Sequence, residues 1–260
     1  DNVTVELLSS GGTQLVTSGN LLTARTHTFT RTETVAGTYD YTIRLTDSAG
    51  NTTDYALNGV VLSPPPPPIF EINMTSGIPT SYNGISITND SITYSSPESA
   101  GNFIESSSVV GGLTADLSSV LSTNGSITVV CKFKYSGGVM FHIGDQSNGK
   151  AFGLDFNINL ETLYHYTWAN DYTYNIPDLN FGTGWNEIIA VYDKDASDPN
   201  RLILYKNGVR QTPSTYATNP TIDLTNNRTL LIGNRYSVKD WDGYMEYIRV
   251  YQGAYSPSDF

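Results

Sequence analysis

One cysteine, Cys131, stands in 260 residues, so no intrachain disulfide framework holds this chain together and packing must do so. No apolar run approaches the roughly 20 residues needed to span a bilayer, and no basic-then-apolar signal segment is present. Direct membrane insertion is therefore not expected. The chain opens at Asp1 without an initiator Met and reads as a mature or excerpted piece of something longer. Cations are scarce, 14 Lys and Arg against 25 Asp and Glu, and the formal net charge of -11 opposes binding to nucleic acid or anionic lipid. With only three histidines, His27, His142 and His165, far apart in sequence, a zinc site has little to work with. The metalloprotease, nucleophile-elbow and phosphate-loop motifs are all missing.

What remains is a chain rich in Thr, Ser, Asn, Gly and Tyr, a composition that favours strands and turns over helices. It divides at Pro64-Pro-Pro-Pro-Pro68, five residues without backbone donors that favour a polyproline II rod. Three segments follow from this: residues 1–62, a linker at 63–68, and residues 69–260. In the first, Val3, Val5 and Leu7 alternate, as do Tyr39, Tyr41, Ile43 and Leu45, between turn clusters such as Ser9-Ser-Gly-Gly12. That pattern predicts a small β-sandwich. The stretch Gly37 to Asn51 resembles the penultimate strand and turn of a bacterial-type immunoglobulin-like repeat, which implies that Tyr39 ties its hydroxyl back to the chain. No chemistry is visible there, and a spacer role is expected.

In residues 69–260 short apolar alternations recur: Ile69 to Asn73, Gly84 to Thr88, Ile127 to Tyr135, Val139 to Ile143, Phe152 to Ile158, Leu163 to Trp168, Trp185 to Tyr192, Leu202 to Tyr205, Leu230 to Gly233 and Tyr244 to Tyr251. Ten or more strands with Gly, Asn and Asp turns and no helical period predict two antiparallel sheets packed face to face. Cys131 falls on the buried side of its alternation and reads as a core thiol. The order Trp185-Asn-Glu-Ile-Ile-Ala-Val-Tyr-Asp193, Arg201-Leu-Ile-Leu-Tyr-Lys-Asn-Gly208, Leu230-Leu-Ile-Gly233 and Asp242-Gly-Tyr-Met-Glu-Tyr-Ile-Arg-Val-Tyr251 resembles the concanavalin A-like lectin/glucanase superfamily, most closely its laminin-G-like jelly rolls. The resemblance implies an all-β architecture in which an immunoglobulin-like sandwich precedes a larger antiparallel jelly roll. It also implies one of two activities, holding glycans or cutting them.

Cutting is disfavoured. Glucanases of the superfamily carry Glu-x-Asp-x-x-Glu, which sets three carboxylates on one strand face, and no Glu here is followed two residues later by Asp. Glu161 stands at a turn, six residues after Asp155. A lyase needs a base such as Tyr or His, and His165 beside Tyr164 is the pair to consider, against the plainer reading of a buried or hydrogen-bonded His. A non-enzymatic role is expected.

Holding rests on aromatics. In Leu163 to Ile176, the residues Tyr164, Tyr166, Trp168, Tyr172 and Tyr174 share parity, with Ala169-Asn-Asp171 as a turn. Sugar rings stack their C–H faces on aromatics while Asn and Asp serve the hydroxyls. Trp168, Tyr172, Asn170, Asp171, Tyr164 and Tyr166 are the candidate glycan contacts, the alternative being that these aromatics fill the core. Many relatives in the superfamily hold a structural calcium, some through an acidic residue at the place of Glu246. Glu246, Glu71 and Asp242 are the corresponding candidate ligands for Ca2+, an ion that wants six to eight oxygens. Six Asn-x-Ser/Thr sequons occur, about as many as chance supplies in so Asn-, Ser- and Thr-rich a chain.

The expected function is a surface-displayed, lectin-like adhesion or attachment module that binds cell-surface or extracellular glycans. The alternative is a structural part of an extracellular or virion shell or fibre whose partners are neighbouring subunits. An extracellular, cell-surface or virion-surface location follows from either.

Overall fold

A computed structural model describes residues 3–9, 12–21, 37–62, 66–103, 112–145, 147, 149–157, 161–167, 170–235, 238–239 and 242–260. The chain splits into two units, Asp1–Pro65 and Pro66–Phe260. In the first, β1 (Val3–Ser9), β2 (Gln14–Leu21), β3 (Gly37–Asp47) and β4 (Thr52–Leu62) make one antiparallel sheet ordered β2-β1-β3-β4. The immunoglobulin-like sandwich expected here has no second sheet among the described residues, and residues 22–36, between β2 and β3, lie outside them. Tyr39 stacks on Tyr41 with ring centroids 6.2 Å apart. Asp47 caps its own turn, accepting from the amides of Ala49 and Asn51 at 2.9 and 2.8 Å, as a turn Asp does. Pro64 and Pro65 of the expected linker also lie outside the described residues.

The second unit begins with β5 (Phe70–Asn73), β6 (Ser81–Tyr82), β7 (Ile85–Asp90), β8 (Thr93–Ser95), β9 (Ala100–Asn102) and β10 (Gly112–Asp116). Then come β11 (Ile127–Gly144), β12 (Ala151–Asn157), β13 (Thr162–Tyr166), β14 (Asp171–Asn175) and a single helical turn, α1 (Ile176–Leu179). The chain continues through β15 (Trp185–Tyr192), β16 (Leu202–Lys206), β17 (Val209–Arg210), β18 (Thr215–Tyr216) and β19 (Thr229–Ile232). It ends with β20 (Asn234–Arg235), β21 (Val238–Lys239), β22 (Asp242–Gln252) and a 3-10 turn at Pro257–Asp259. Apart from the β20-β21 pair, these strands join into one continuous 16-stranded antiparallel sheet that doubles back on itself as a sandwich.

The doubling back happens inside β11. Ser136-Gly-Gly138 reads as a break between two strands, yet the structure runs an 18-residue strand straight through it. Its first half pairs with β15 and β22, its second with β12 and β19. Register shifts between Lys132 and Phe133, Tyr135 and Gly137, and Val139 and Phe141 mark bulges that bend and twist the strand from one layer into the other. The smaller layer therefore runs β17-β16-β15-β11-β22-β5, and the larger β18-β14-β13-β12-β11-β19-β10-β7-β6.

The alternating residues of both layers meet between them. Phe133 of β11, Phe156 of β12 and Phe181 form a three-ring cluster with centroids 5.3–5.9 Å apart, and Cys131 is buried in the same core. Asn207 and Gly208, at φ 48° and 78°, make the two-residue turn that joins Lys206 to Val209. Both residues need positive φ there, which is what Asn-Gly supplies.

Candidate functional site

The face of the larger layer that points away from the core is built by strand alternation. On β12, Phe152, Leu154 and Phe156 go inward, so Gly153 and Asp155 go outward. On β13, Leu163 and His165 go inward and Tyr164 and Tyr166 outward. On β14, Tyr172 and Tyr174 are inward and Asp171 and Thr173 outward. Cross-strand register then fixes which outward residues are neighbours. One transverse row reads Thr88, Thr114, Leu231, His142, Gly153, Tyr166, Asp171 across seven strands. The next reads Asp155, Tyr164, Thr173, Thr215.

The first row contains a rigid pair. His142 Nε2 lies 3.0 Å from the Gly144 carbonyl, which only accepts, so that nitrogen carries the proton. Nδ1 lies 2.9 Å from the Tyr166 hydroxyl, which donates to it when the ring is neutral. Asn227 Nδ2 donates to the same Gly144 carbonyl at 3.2 Å and to Asp145 Oδ1 at 2.9 Å, extending the network. The Tyr166 ring reaches its place because residue 153 is glycine: a Cβ there would sit 2.6 Å from Tyr166 Cζ and 2.6 Å from the Phe141 carbonyl. His142 and Tyr166 are both buried, so the pair is a prop for the face.

The second row carries the accessible chemistry. Tyr164 is half-buried between Asp155 and Thr173. Thr173 Oγ1 lies 2.5 Å from Thr215 Oγ1 and 3.3 Å from Ser214 Oγ, a short hydroxyl ladder. Asp171 is half-buried, and its Oδ1 is buried without a hydrogen-bond partner. Burial raises the Asp171 carboxyl above its ordinary pKa, and the like charge of Asp155 raises it further.

Five of the six candidate glycan contacts, Tyr164, Tyr166, Asn170, Asp171 and Tyr172, thus come from one hairpin, β13-β14, with Tyr164, Tyr166 and Asp171 on its outward face. Trp168 lies outside the described residues. Tyr172 does not share that face. It is fully buried, its hydroxyl donates to Asp198 Oδ1 at 3.3 Å, and burial, then Asp198, pushes its pKa up to about 12. The reason is the turn: Tyr166 pairs with Asp171, so an even-numbered position on β13 faces an odd-numbered one on β14, and shared parity across the turn means opposite faces. Tyr174 is turned inward with Tyr172 for the same cause.

His165 and Tyr164, the pair considered for a lyase, also point to opposite faces. His165 is fully buried, neither ring nitrogen has a partner, and burial lowers its pKa to about 3. Sequence reading passed over Gly153, Thr173 and His142 as site residues, and weighed Asp155 only as a hydrolase carboxylate. Their signal was the odd-numbered alternation of β12 together with the hairpin register.

Two of the calcium candidates stand in ion pairs. Glu246 pairs with Lys132 at 2.7 Å, and Glu71 with Arg249 Nε at 2.7 Å. β5 and β22 are neighbours, but Glu71 is level with Arg249 while the amide of Met74 reaches the Glu246 carbonyl. Three residues of strand, about 10 Å, separate the two positions. Asp242 begins β22, opposite Gly137. Among the described residues no group of three or more His, Cys, Asp or Glu is placed to hold a metal ion.

A family model, that of the concanavalin A-like lectin/glucanases superfamily, matches residues 111–259. No curated protein matches the sequence. Among solved structures, domain 4 of the extracellular arabinanase AbnA from Geobacillus stearothermophilus, in complex with arabinotriose, is 15% identical with a TM-score of 0.43, over 73% of this chain and 84% of that one. The CBM40 of the Ruminococcus gnavus IT-sialidase, bound to alpha2,3 sialyllactose, is 18% identical with a TM-score of 0.41, over 53% and 80%. Trypanosoma rangeli sialidase is 12% identical with a TM-score of 0.50, over 85% of this chain and 41% of its own. At these identities the likeness is one of fold.

Proposed function

The chain belongs to the concanavalin A-like lectin/glucanases superfamily, and on that premise we propose that the outer face of its larger layer binds glycan without cleaving it. The observation that carries this is the second row, where half-buried Tyr164 stands between the carboxylate of Asp155 and the hydroxyls of Thr173 and Thr215, with Asp171 alongside. A sugar ring has the matching pattern, an apolar C–H face to lie on the tyrosine and hydroxyls to donate to the carboxylates. Trp168, which lies between β13 and β14 in sequence, is proposed as a second stacking residue. The reading is of a lectin-like attachment module displayed outside the cell or on a virion, with the smaller unit as its spacer.

The test is titration of the full chain with whichever oligosaccharide a glycan array selects. Tyr164→Ala and Trp168→Ala are each expected to weaken binding by at least tenfold, about 1.4 kcal/mol, with the thermal midpoint nearly unchanged. Undiminished binding in both variants would remove the site. A second reading, a structural building block that contacts protein neighbours, has one observation in its favour. β4 is an edge strand, unpaired on one side among the described residues, and exposes Tyr55 and Leu57. Silence across the array from folded protein would favour it.

A further inference from the structure

Resting on the glycan-binding reading above, we infer that the outer face of the larger layer takes glycans free of acidic groups and rejects those bearing carboxylates or sulfates. The two rows bring two carboxylates, Asp155 and Asp171, to one face, and no Lys or Arg stands in either row among the described residues. The neighbouring charge that acts on Asp171 is that of Asp155, of the same sign.

Hydrogen-bond supply works in the same direction. Asp171 Oδ1 is buried and accepts from nothing, and an ionised carboxylate only accepts. Sugar hydroxyls can donate to carboxylates on this face, whereas a ligand carboxylate or sulfate offers only acceptors and adds repulsion. Of the described cations of the opposite, smaller layer, Lys132, Lys134 and Arg249 are held by Glu246, Glu98 and Glu71. The net charge of -11 works in the same direction at longer range.

The experiment compares the full chain's affinity for matched oligosaccharide pairs, the same core with and without a terminal sialic acid, uronic acid or sulfate. Measurements at about 50 and about 500 mM salt bracket strong and weak screening. The acid-free member of each pair is expected to bind at least tenfold tighter at low salt, with the gap narrowing at high salt. In Asp155→Asn/Asp171→Asn, shown folded by its thermal midpoint, the gap should shrink to within about threefold. Equal or tighter binding of the acidic member at low salt overturns the inference, as does a gap that persists unchanged in the double variant. Binding that prefers acid-free glycans but ignores Tyr164→Ala overturns the site reading instead. Failure of both members of every pair to bind removes both.

Discussion

Acidification from pH 7 to pH 4 is expected to weaken folding by roughly 3 kcal/mol through His165 alone. The ring sits in the core against Phe152, centroids 5.3 Å apart, with neither nitrogen hydrogen-bonded. Burial lowers its pKa from 6.5 to about 3, because a charge there would be stranded in an apolar surround. A base whose folded pKa lies below its unfolded one contributes no penalty above pH 6.5, where both states are neutral. As pH falls from 6.5 towards 3 the unfolded state takes up the proton and the folded state does not, so stability is lost across that window and levels off below it. His165→Leu removes both orphaned nitrogens and the proton linkage together. Urea unfolding of the two proteins at pH 7, 5.5 and 4 isolates the effect, since the other titrating groups are common to both. The variant should match or exceed the parent at pH 7 and lead it by roughly 3 kcal/mol at pH 4. Parallel pH curves would mean that His165 finds a partner or a proton in the folded state.

Gly153→Ala is expected to destabilise the protein by about 1–3 kcal/mol, the range for overpacking, and to weaken glycan binding as well. The added Cβ would lie 2.6 Å from the Phe141 carbonyl, which the β11-β12 ladder holds in place, and 2.6 Å from the Tyr166 hydroxyl. Tyr166 must then leave His142, and the propped row beside Asp171 loses its floor. Gly184→Ala is the control, since its Cβ would meet nothing within 4 Å, and it should stay within about 0.5 kcal/mol of the parent. Denaturant midpoints test the stability, and NMR of the His142 ring tests the loss of the Tyr166 bond. An unaltered His142 signal in a destabilised Gly153→Ala protein would detach the pair from the face.

The fold of the larger unit was legible because apolar alternation, Gly and Asn turns and the order of the last four strands all point to the same jelly roll. Alternation reports which residues share a face within one strand. It does not report which face they share across a turn, and for that reason parity alone groups Tyr172 with Tyr164 although the hairpin register sends it inward. A similar limit applies at Ser136-Gly-Gly138, where residues that usually break a strand instead sit in a bulged, bending one that links the two layers. The acidic residues of β5 and β22 read as metal ligands because oxygen donors can be counted along a chain, whereas the Lys132 and Arg249 side chains that engage them come from cross-strand pairing. Asp155 and Gly153 gain meaning only once β13 is laid beside them.

We propose that glycan is held on the β12-β14 part of the larger layer. Amide hydrogen exchange of the full chain, with and without a saturating oligosaccharide selected on the array, tests this most directly. Added protection is expected in residues 153–173, centred on the β13-β14 hairpin, with β15, β16 and β22 unchanged. Protection confined to the smaller layer, or to β1–β4 of the first unit, would contradict it.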